Sequence, residues 1–322
     1  MKELRPKIGI ALGGGAAKAT CEYGMLKKIV EHDIPIDYIM GSSCGAIVGG
    51  LYALNLDLKE TEEKIFRYFQ KGKLTSWMNI NFLHGSFFKG DYISKFLRYV
   101  FEDKTFADCK IPFACTAVNL ESGEEVVFKE GKLWEAIMAS ASIPGFIDPF
   151  YKDGRFFVDG GLLEDVPFST MRRDNNPDLL IGMKITDNTN KQFISAIVFN
   201  RFSKKNRFKA LKSFNFVKKF WTSFNLESQL FLRIIDRSIS ILRDELFKYK
   251  RKEAHPDLLL EIEVNEYEAF DFQDINKIII KGEIVMNEYM PELLKLIEKK
   301  KQQLNSKSEN DNLEAKTKKN SA

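Results

Sequence analysis

The sequence predicts an α/β fold with a mainly parallel central sheet and helices on both faces. Short apolar runs that resemble buried strands alternate with segments whose apolar residues have helical spacing. Glycine-rich turns after two of these runs lead directly into helices. The chain has 322 residues, of which 44% are hydrophobic, and this is sufficient for a large core. Helices between strands favour parallel pairing because each helix returns the chain to the edge where the previous strand began.

The expected elements divide the chain into one main domain and a tail. Strands are expected near residues 7–12, 36–40, 112–118, 125–128, 155–158, 179–185 and 258–264. Helices are expected near residues 20–31, 44–54, 58–70, 90–100, 132–140 and 286–301. Residues 6–298 then form a single domain with a basic, aromatic-rich insertion at about 191–250, and the polar residues 299–322 form a disordered tail.

A Gly-x-Ser-x-Gly motif lies between a predicted strand and a predicted helix. Residues 41–45 read Gly-Ser-Ser-Cys-Gly, after an apolar run and before a helix with a small-residue face. A sharp turn from strand to helix is the context in which a nucleophilic serine is exposed at the end of a sheet. The central serine, Ser43, is therefore the candidate nucleophile, although the motif without this context is short and common.

A glycine-rich loop follows the first predicted strand. Residues 13–19 read Gly-Gly-Gly-Ala-Ala-Lys-Ala and lead into a segment with helical spacing. Backbone N–H groups at such a helix start bind anions, either a nucleotide phosphate or the oxyanion of an acyl-transfer intermediate. The third glycine of the dinucleotide fingerprint is missing, and no Gly-Lys-Ser/Thr follows. The serine motif that comes next along the chain favours the oxyanion.

A third motif ends a predicted strand with an acid. Residues 156–162 read Phe-Phe-Val-Asp-Gly-Gly-Leu, so Asp159 follows an apolar strand and precedes two glycines. An aspartate at a strand end can act as a base or can orient another group. Taken alone, an Asp-Gly dipeptide is more often a turn.

These three motifs, in this order, resemble those of the patatin-like phospholipases. That family carries a Gly-Gly-Gly-x-Arg/Lys-Gly loop, then Gly-x-Ser-x-Gly, then Asp-Gly-Gly or Asp-Gly-Ala. Residues 141–149 and 163–167, on either side of the third motif, are also similar to bacterial members. The resemblance extends over residues 6–188 and implies a patatin-like three-layer α/β fold.

The resemblance also implies a reaction, the hydrolysis of lipid acyl esters by a Ser–Asp dyad. By resemblance, Ser43 attacks the ester carbonyl, and Asp159 takes its proton and later helps to activate water. The N–H groups of Gly14, Gly15 and Ala16 are the implied oxyanion donors. The implied enzyme is of the phospholipase A or lysophospholipase type and needs no cofactor and no metal.

The glycine-rich loop also departs from the family pattern. Lys18 stands where the family has a basic residue, which implies a contact to a phosphate head group. Ala16 and Ala19 stand where most bacterial members have glycine. If position 16 needs a positive φ, alanine there costs roughly 1 kcal/mol or more and tilts an oxyanion donor. The alternative is a catalytically impaired patatin-like protein that binds lipid or regulates, and nucleotide binding by residues 13–18 is a more distant one.

The histidines and cysteines favour a dyad without metal. The chain has three histidines, and only His255 follows Asp159, as the order of an α/β-hydrolase triad requires. His255 lies in a predicted loop before a late strand. The four cysteines show neither a disulfide framework nor metal-ligand spacing, which fits a reducing compartment.

Residues 191–221 carry nine basic residues and no acidic residue, interleaved with seven phenylalanines and one tryptophan. This mixture predicts peripheral binding to an anionic membrane, whereas the alternative is a solvated amphipathic helix on the core. No nucleic-acid partner is expected because no nucleic-acid motif accompanies the charge. Without a recognisable signal peptide or transmembrane helix, the sequence predicts a cytoplasmic or peripheral membrane protein that acts on a lipid or phospholipid.

Overall fold

The computed structural model describes residues 4–55, 59–60, 63–64, 90–186, 234, 237–267 and 274–320, and for 90–92 and 309–320 it describes the backbone only. Within this part of the chain, apolar runs form one eight-stranded sheet. Its strands are β1 (Ile8–Leu12), β2 (Tyr38–Ser42), β3 (Phe113–Asn119), β4 (Glu125–Phe128), β5 (Phe150–Lys152), β6 (Arg155–Asp159), β7 (Leu179–Thr186) and β8 (Leu258–Glu263).

The sheet has a parallel centre and an antiparallel edge. Its order is β5-β6-β3-β2-β1-β7-β8, and β4 pairs with β3. All pairs from β3 through β2, β1 and β7 to β8 are parallel, whereas β4 and β6 pair with β3 antiparallel. The predicted α/β fold with a mainly parallel sheet is thus confirmed. The carboxyl ends of β1 and β2 share one edge, where ligands of such sheets bind.

Helices cover both faces of the sheet. They are α1 (Cys21–Glu31), α2 (Cys44–Asn55), α3 (Gly90–Phe101), α4 (Leu133–Ser140), α5 (Phe168–Asp174) and α6 (Ile275–Asn320), and residues 237–254 are also helical. Alternate strand residues divide between two core clusters. On β1, Ile8, Ile10 and Leu12 face the cluster with α1, α2, α4 and α6, whereas Ala11 faces the cluster with α5 and Phe247. The fold is therefore three-layered.

Several elements differ from those expected. The sequence analysis missed β5, α5 and the helical residues 237–254 because they are short or lie inside the polar insertion. Helix α6 begins at Ile275 and continues to Asn320, where a disordered tail was expected. Residues 299–320 contain no Gly or Pro, and seven of them are Lys, which has a high helix propensity even without an apolar face. Most of the predicted helix at 58–70 lies outside the described residues.

Candidate active site

The register of β3 brings the predicted serine and aspartate together. Thr116 of β3 pairs with Ser42, the last residue of β2, and the next residue, Ala117, pairs with Asp159 at the end of β6. Ser43 directly follows Ser42, so the two candidate side chains emerge at the same place on the sheet edge. Both residues are buried, with 4% of Ser43 and 6% of Asp159 exposed to solvent.

Ser43 occupies a sharp turn between β2 and α2. Its φ is 56°, in the left-handed region that is strained for a serine. The turn is held by a hydrogen bond of 2.9 Å from the Ser43 N–H to the Oγ of the buried Ser140. A Cβ on Gly45 would lie 2.5 Å from the carbonyl oxygens of Leu12 and Gly13, so glycine is required for this close approach. Ser43 therefore stands at the N-terminus of α2, where the helix dipole favours negative charge.

The Asp159 carboxylate faces the Ser43 hydroxyl. The two side chains are hydrogen-bonded, and the N–H of Gly161 donates to Asp159 Oδ1 at 2.7 Å. The Asp159 N–H donates to the Ser142 carbonyl at 3.0 Å, which ties the end of β6 to the segment after α4. Burial raises the pKa of the Asp159 carboxyl above its usual value, while the nearby Arg243 charge and the Ser43 hydrogen bond oppose this rise. The Asp159 carboxylate is thus a stronger base than an exposed aspartate.

The glycine-rich loop lies beside this pair. The Cβ that Gly14 lacks would stand 3.2 Å from the Ser43 Cβ. Ala16 has a φ of 50°, so the backbone at this position is left-handed, the condition under which alanine is costly. Gly15 and Ala16 begin a 3₁₀ helix (Ala16–Thr20), whose first N–H groups have no partner within the helix. The Gly14 N–H, by contrast, donates to the Asp165 carbonyl at 3.3 Å.

The N–H group of Gly13 already has two hydrogen-bond acceptors within the protein. It donates to the Met183 carbonyl at 3.2 Å and to Glu22 Oε1 at 2.8 Å. Glu22 is fully buried, and this burial raises the pKa of its carboxyl well above the usual value. The Gly13 N–H already donates to these two acceptors and is therefore not available to a nucleotide phosphate. This observation argues against nucleotide binding by residues 13–18.

Lys18, predicted to contact a head group, has 2% of its surface exposed. Its charge acts on Glu266, which follows β8. The basic group whose charge acts on Asp159 is instead Arg243. Ser43, Asp159 and Gly14 thus lie close together in the structure. The basic residue beside them is Arg243 rather than the predicted Lys18.

The described histidines lie away from this edge. His255 precedes β8 and His32 follows α1, so both stand at the amino edge of the parallel strands, opposite Ser43. His84 is outside the described residues. Among the described residues, no group of three or more His, Cys, Asp or Glu side chains is placed to hold a metal ion. All four cysteines are free thiols.

Sequence reasoning missed Arg243 and Asp165. Asp165 accepts from the Arg243 guanidinium through its carboxylate and from Gly14 through its carbonyl. No local pattern distinguishes Arg243 from the other basic residues of the predicted insertion. Asp165 does lie in the segment 163–167 that carried part of the family resemblance.

The predicted membrane segment, residues 191–221, lies outside the described residues. In the part of the chain that the structure describes, no helix combines the length and the apolar character needed to cross a bilayer.

A serine at a sharp strand-to-helix turn, an aspartate hydrogen-bonded to it and a glycine-rich loop thus lie together at one edge of the sheet. A family model described as patatin-like phospholipase matches residues 10–172. The chain belongs to the patatin-like phospholipase family.

Similar proteins with curated descriptions are much longer than this chain. The patatin-like phospholipase domain-containing protein ZK370.4 of Caenorhabditis elegans is 31% identical over 170 residues, which is 51% of this chain and 12% of that protein. Lysophospholipase NTE1 of Eremothecium gossypii is 33% identical over 169 residues, which is 51% of this chain and 11% of that protein. The chain thus spans about a tenth of the length of these relatives.

Solved structures share the fold at low sequence identity. VipD from Legionella pneumophila aligns with a TM-score of 0.52 and 11% identity, covering 89% of this chain and 67% of VipD. Human GIVD cytosolic phospholipase A2, solved with a fluorophosphonate inhibitor, aligns with a TM-score of 0.50 and 12% identity, covering 92% of this chain and 60% of the human chain. These neighbours agree with the three-layer α/β fold.

Proposed function

We propose that this protein is a serine lipid acyl hydrolase of the phospholipase A or lysophospholipase type. One observation carries the proposal: Ser43, held in a left-handed turn at the start of α2, is hydrogen-bonded to the carboxylate of Asp159. A nucleophile in contact with a base is the arrangement that covalent ester hydrolysis requires. The family supports lipid acyl esters as the substrate class.

The reaction follows from this geometry in two steps. Ser43 Oγ attacks the ester carbonyl carbon while Asp159 accepts the hydroxyl proton, and the leaving alcohol departs with that proton. Water then attacks the acyl-enzyme, Asp159 accepts a proton from it, and the fatty acid leaves as Ser43 is reprotonated. Burial makes Asp159 a better base because it raises the pKa of the carboxyl towards the working pH.

The oxyanion of each tetrahedral intermediate needs preorganised donors. The N–H groups of Gly15 and Ala16 are suited to this role because they begin a helix and have no partner within it. Gly14 joins them only when its N–H leaves the Asp165 carbonyl, a bond that is long at 3.3 Å. The N-terminus of α2 adds a favourable dipole to the same region.

Covalent labelling tests the nucleophile. An alkyl fluorophosphonate phosphorylates an activated serine, so incubation should add one label to the wild-type protein, and mass spectrometry should locate it on Ser43. Ser43→Ala and Asp159→Asn should each lose labelling and should each lower esterase activity by on the order of 10⁴-fold. Because the two residues act as a unit, the double variant should be little worse than either single variant.

Ser42→Ala is the matched control for this experiment. Ser42 is the neighbouring serine, it is fully buried, and among the described residues its hydroxyl has no hydrogen-bond partner. The Ser42→Ala protein should label and turn over ester like the wild type. Labelling of Ser42 instead of Ser43, or full activity of a folded Asp159→Asn protein, contradicts the proposed dyad.

A second candidate is a lipid-binding or regulatory protein that does not turn over ester. It is favoured by the donation of the Gly14 N–H to Asp165 and by the left-handed backbone at Ala16, both of which weaken the predicted oxyanion loop. This candidate predicts that lipid binds to the wild type while fluorophosphonate labels it no faster than Ser43→Ala. Hydrolysis of a panel of phospholipids, lysophospholipids and p-nitrophenyl esters separates the two functions.

A further inference from the structure

The Arg243 guanidinium lies next to the candidate dyad although it comes from a distant part of the chain. A Cβ built on Gly161 would lie 3.0 Å from Asp159 Oδ1 and 3.1 Å from Arg243 Nη2, so both atoms border the same small space. The same arginine nitrogen lies 3.5 Å from the position of a Cβ on Gly14. The arginine thus fills the space between the glycine loop and the turn after Asp159.

Glycines on both sides make this position accessible. A side chain at Gly161 would meet Arg243 Nη2 and Asp159 Oδ1 at once, and a side chain at Gly14 would meet Asp165 and the arginine. The absence of side chains at these two positions therefore leaves room for the guanidinium. The glycines of two predicted motifs thus share a further role that neither motif indicates by itself.

The helical residues 237–254 that carry Arg243 are fixed to the fold by the residues that directly follow it. Asp244 lies 3.5 Å from the Nζ of Lys184 at the end of β7. One turn further along, Phe247 is buried, packs against Phe168 at 5.6 Å between ring centroids, and lies under the Lys184 Nζ. A side chain on a well-anchored helix is held more precisely than one on a loop.

Asp165 connects this arginine to the glycine loop. Its carboxylate accepts from the Arg243 guanidinium, and its carbonyl accepts from the Gly14 N–H. A planar guanidinium fixes its carboxylate partner in direction as well as in distance. The chain of contacts therefore runs from the helix through Asp165 to the backbone beside Ser43.

We propose that Arg243 is a positioning residue of the candidate active site: it holds Asp165 and the glycine loop in place and keeps a positive charge beside Asp159. The role rests on the proposed function, because it concerns the base of that reaction. Arg243 acts through its partner Asp165 and through its charge on Asp159.

The charges around Asp159 determine the expected effect. The groups that face its carboxyl are the Ser43 hydroxyl, the Gly161 N–H, the positive Arg243 and the negative Asp165, with the neutral Cys44 thiol beside them. Arg243 lowers the pKa of Asp159 and Asp165 raises it, and the arginine has the larger effect. Removal of Arg243 should therefore leave Asp159 protonated, and inactive as a base, up to a higher pH.

The test is the titration of Asp159 in Arg243→Gln, measured by ¹³C NMR of labelled aspartate carboxyls and assigned with Asp159→Asn. We expect the Asp159 titration to move to higher pH. The acid limb of kcat/KM on a soluble ester should move with it, so that the loss grows from less than about 3-fold at pH 9 to about 10-fold or more at pH 5. Arg243→Lys, which retains the charge but not the planar fork, should restore the titration more fully than kcat.

Arg251→Gln is the matched control. Arg251 lies two turns further along the same helix, is half exposed, and is 4.0 Å from Glu261. Its removal deletes the same charge far from Asp159 and should leave both the titration and the pH profile unchanged. An equal effect of Arg243→Gln and Arg251→Gln, or an unchanged Asp159 titration in Arg243→Gln, overturns the proposal.

The double variant Arg243→Met with Asp165→Asn tests the same role if Arg243→Gln does not fold. It removes both partners of the ion pair and so leaves no partly buried charge unpaired. We expect a shift of the Asp159 titration in the same direction as for Arg243→Gln but smaller, and a shift to lower pH contradicts the proposal. The NMR titration requires no turnover, whereas failure of the proposed hydrolase function appears as absent labelling of Ser43.

Discussion

At the residue scale, two residues of the candidate site adopt a left-handed backbone conformation: Ser43, with a φ of 56°, and Ala16, with a φ of 50°. They lie on the two loops that meet at the site. Such a conformation costs a residue with a Cβ about 1–2 kcal/mol. For Ser43 this strain belongs to the sharp turn that presents the candidate nucleophile. For Ala16 the alanine side chain itself causes the cost, since glycine adopts this conformation freely.

Replacement of Ala16 by glycine should therefore relieve strain. We expect the free energy of unfolding to rise by up to about 1 kcal/mol, because the strain relieved exceeds the extra entropy of glycine in the unfolded chain. The kcat on a soluble ester should be maintained or raised. Urea unfolding and steady-state kinetics measure the two effects.

Ala16→Val tests the loop in the opposite direction. A β-branched residue is more strained at a positive φ, so kcat should fall more than KM rises, because oxyanion donors act mainly on the transition state. Wild-type kinetics in Ala16→Val would exclude the N–H of this residue from the oxyanion hole.

A second residue-scale feature is a shared proton beside α5. The Thr170 hydroxyl lies 2.7 Å from Glu125 Oε2 and 2.8 Å from Glu164 Oε2, but it carries a single hydrogen. Glu164 also accepts from the N–H and the hydroxyl of Ser169, as an ionised carboxylate does. Burial raises the pKa of the Glu125 carboxyl and so favours the protonated form that can donate to the Thr170 hydroxyl, while Arg173 Nη1, 3.7 Å from Glu125 Oε2, opposes this.

This proton gives stability a definite pH dependence. Because the pKa of Glu125 is higher in the folded state, the stability it contributes is complete below about pH 4.5 and is lost as the pH rises through the folded-state pKa. Glu125→Gln keeps a donor and does not titrate, so it should gain stability relative to the wild type between pH 5 and pH 8. Urea unfolding at both pH values measures this gain.

Glu124→Gln provides the control for that comparison, since Glu124 is the exposed neighbour of Glu125. It should leave the pH dependence of unfolding as in the wild type. A constant stability difference between Glu125→Gln and wild type from pH 5 to pH 8 would show that Glu125 is ionised throughout.

At the element scale, the helical residues 237–254 join the core to the site. Phe247 is 6% exposed and packs against Phe168 and Lys184, while Tyr249 on the same helix is 67% exposed. Phe247→Ala should lower the free energy of unfolding by about 3–5 kcal/mol, and Tyr249→Ala by less than about 0.5 kcal/mol.

Phe247→Ala should also lower esterase activity under conditions where the protein remains folded, because the helix positions Arg243. Thermal unfolding measures the loss of stability. Ester hydrolysis, assayed at 15 °C or below, measures the loss of activity separately. A Phe247→Ala protein that loses stability but retains full kcat would show that Arg243 does not need this anchor.

The elements show how far local sequence determines this fold. The strand–turn–helix units around residues 13–15 and 41–45 were predictable from two local signals. The spacing of the apolar residues indicates a strand followed by a helix, and the glycines indicate a turn between them. Strand β5 and helix α5 are too short to show a recognisable spacing of apolar residues. Their structure depends on contacts with β6 and with the rest of the sheet. Helix 237–254 lies in a polar, basic stretch, so its packing face is recognisable only when Phe168 and Lys184 are seen beside it.

The candidate site divides in the same way. Ser43, Asp159 and the glycine loop follow from motifs, and the register of β3 brings the first two together. Arg243 and Asp165 were not predictable as a pair, because their contact joins residues 78 positions apart and neither stands in a motif of its own. Likewise, the burial of Lys18 depends on the packing of the 3₁₀ helix rather than on its place in the loop.

At the scale of the whole molecule, charge is distributed unevenly along the chain. The net charge is +4, yet residues 191–221 alone contribute +9, so the rest of the chain is net acidic. The same segment contains seven phenylalanines and one tryptophan. Basic side chains attract anionic lipid at about 1 kcal/mol each near the surface, and aromatic side chains insert at the head-group level.

This segment should deliver the protein to anionic membranes. We expect co-sedimentation with anionic but not neutral vesicles at low salt, and weaker binding as salt screens the charges over about 8 Å at physiological ionic strength. Reversal of Lys204, Lys205, Arg207 and Lys209 to glutamate should abolish the preference for anionic vesicles. Activity on a soluble short-chain ester should survive, since Ser43 and Asp159 lie elsewhere in the sequence.

A charge-matched variant separates this local role from the effect of net charge. Reversal of the exposed Lys104, Lys295, Lys299 and Lys307 to glutamate changes the net charge of the protein by the same amount. If residues 191–221 form the membrane surface, this second variant retains most of its binding to anionic vesicles while the first loses it. Equal binding of the first variant and the wild type would assign the basic stretch to a solvated face, and equal losses in both variants would make net charge, rather than this segment, the cause of binding.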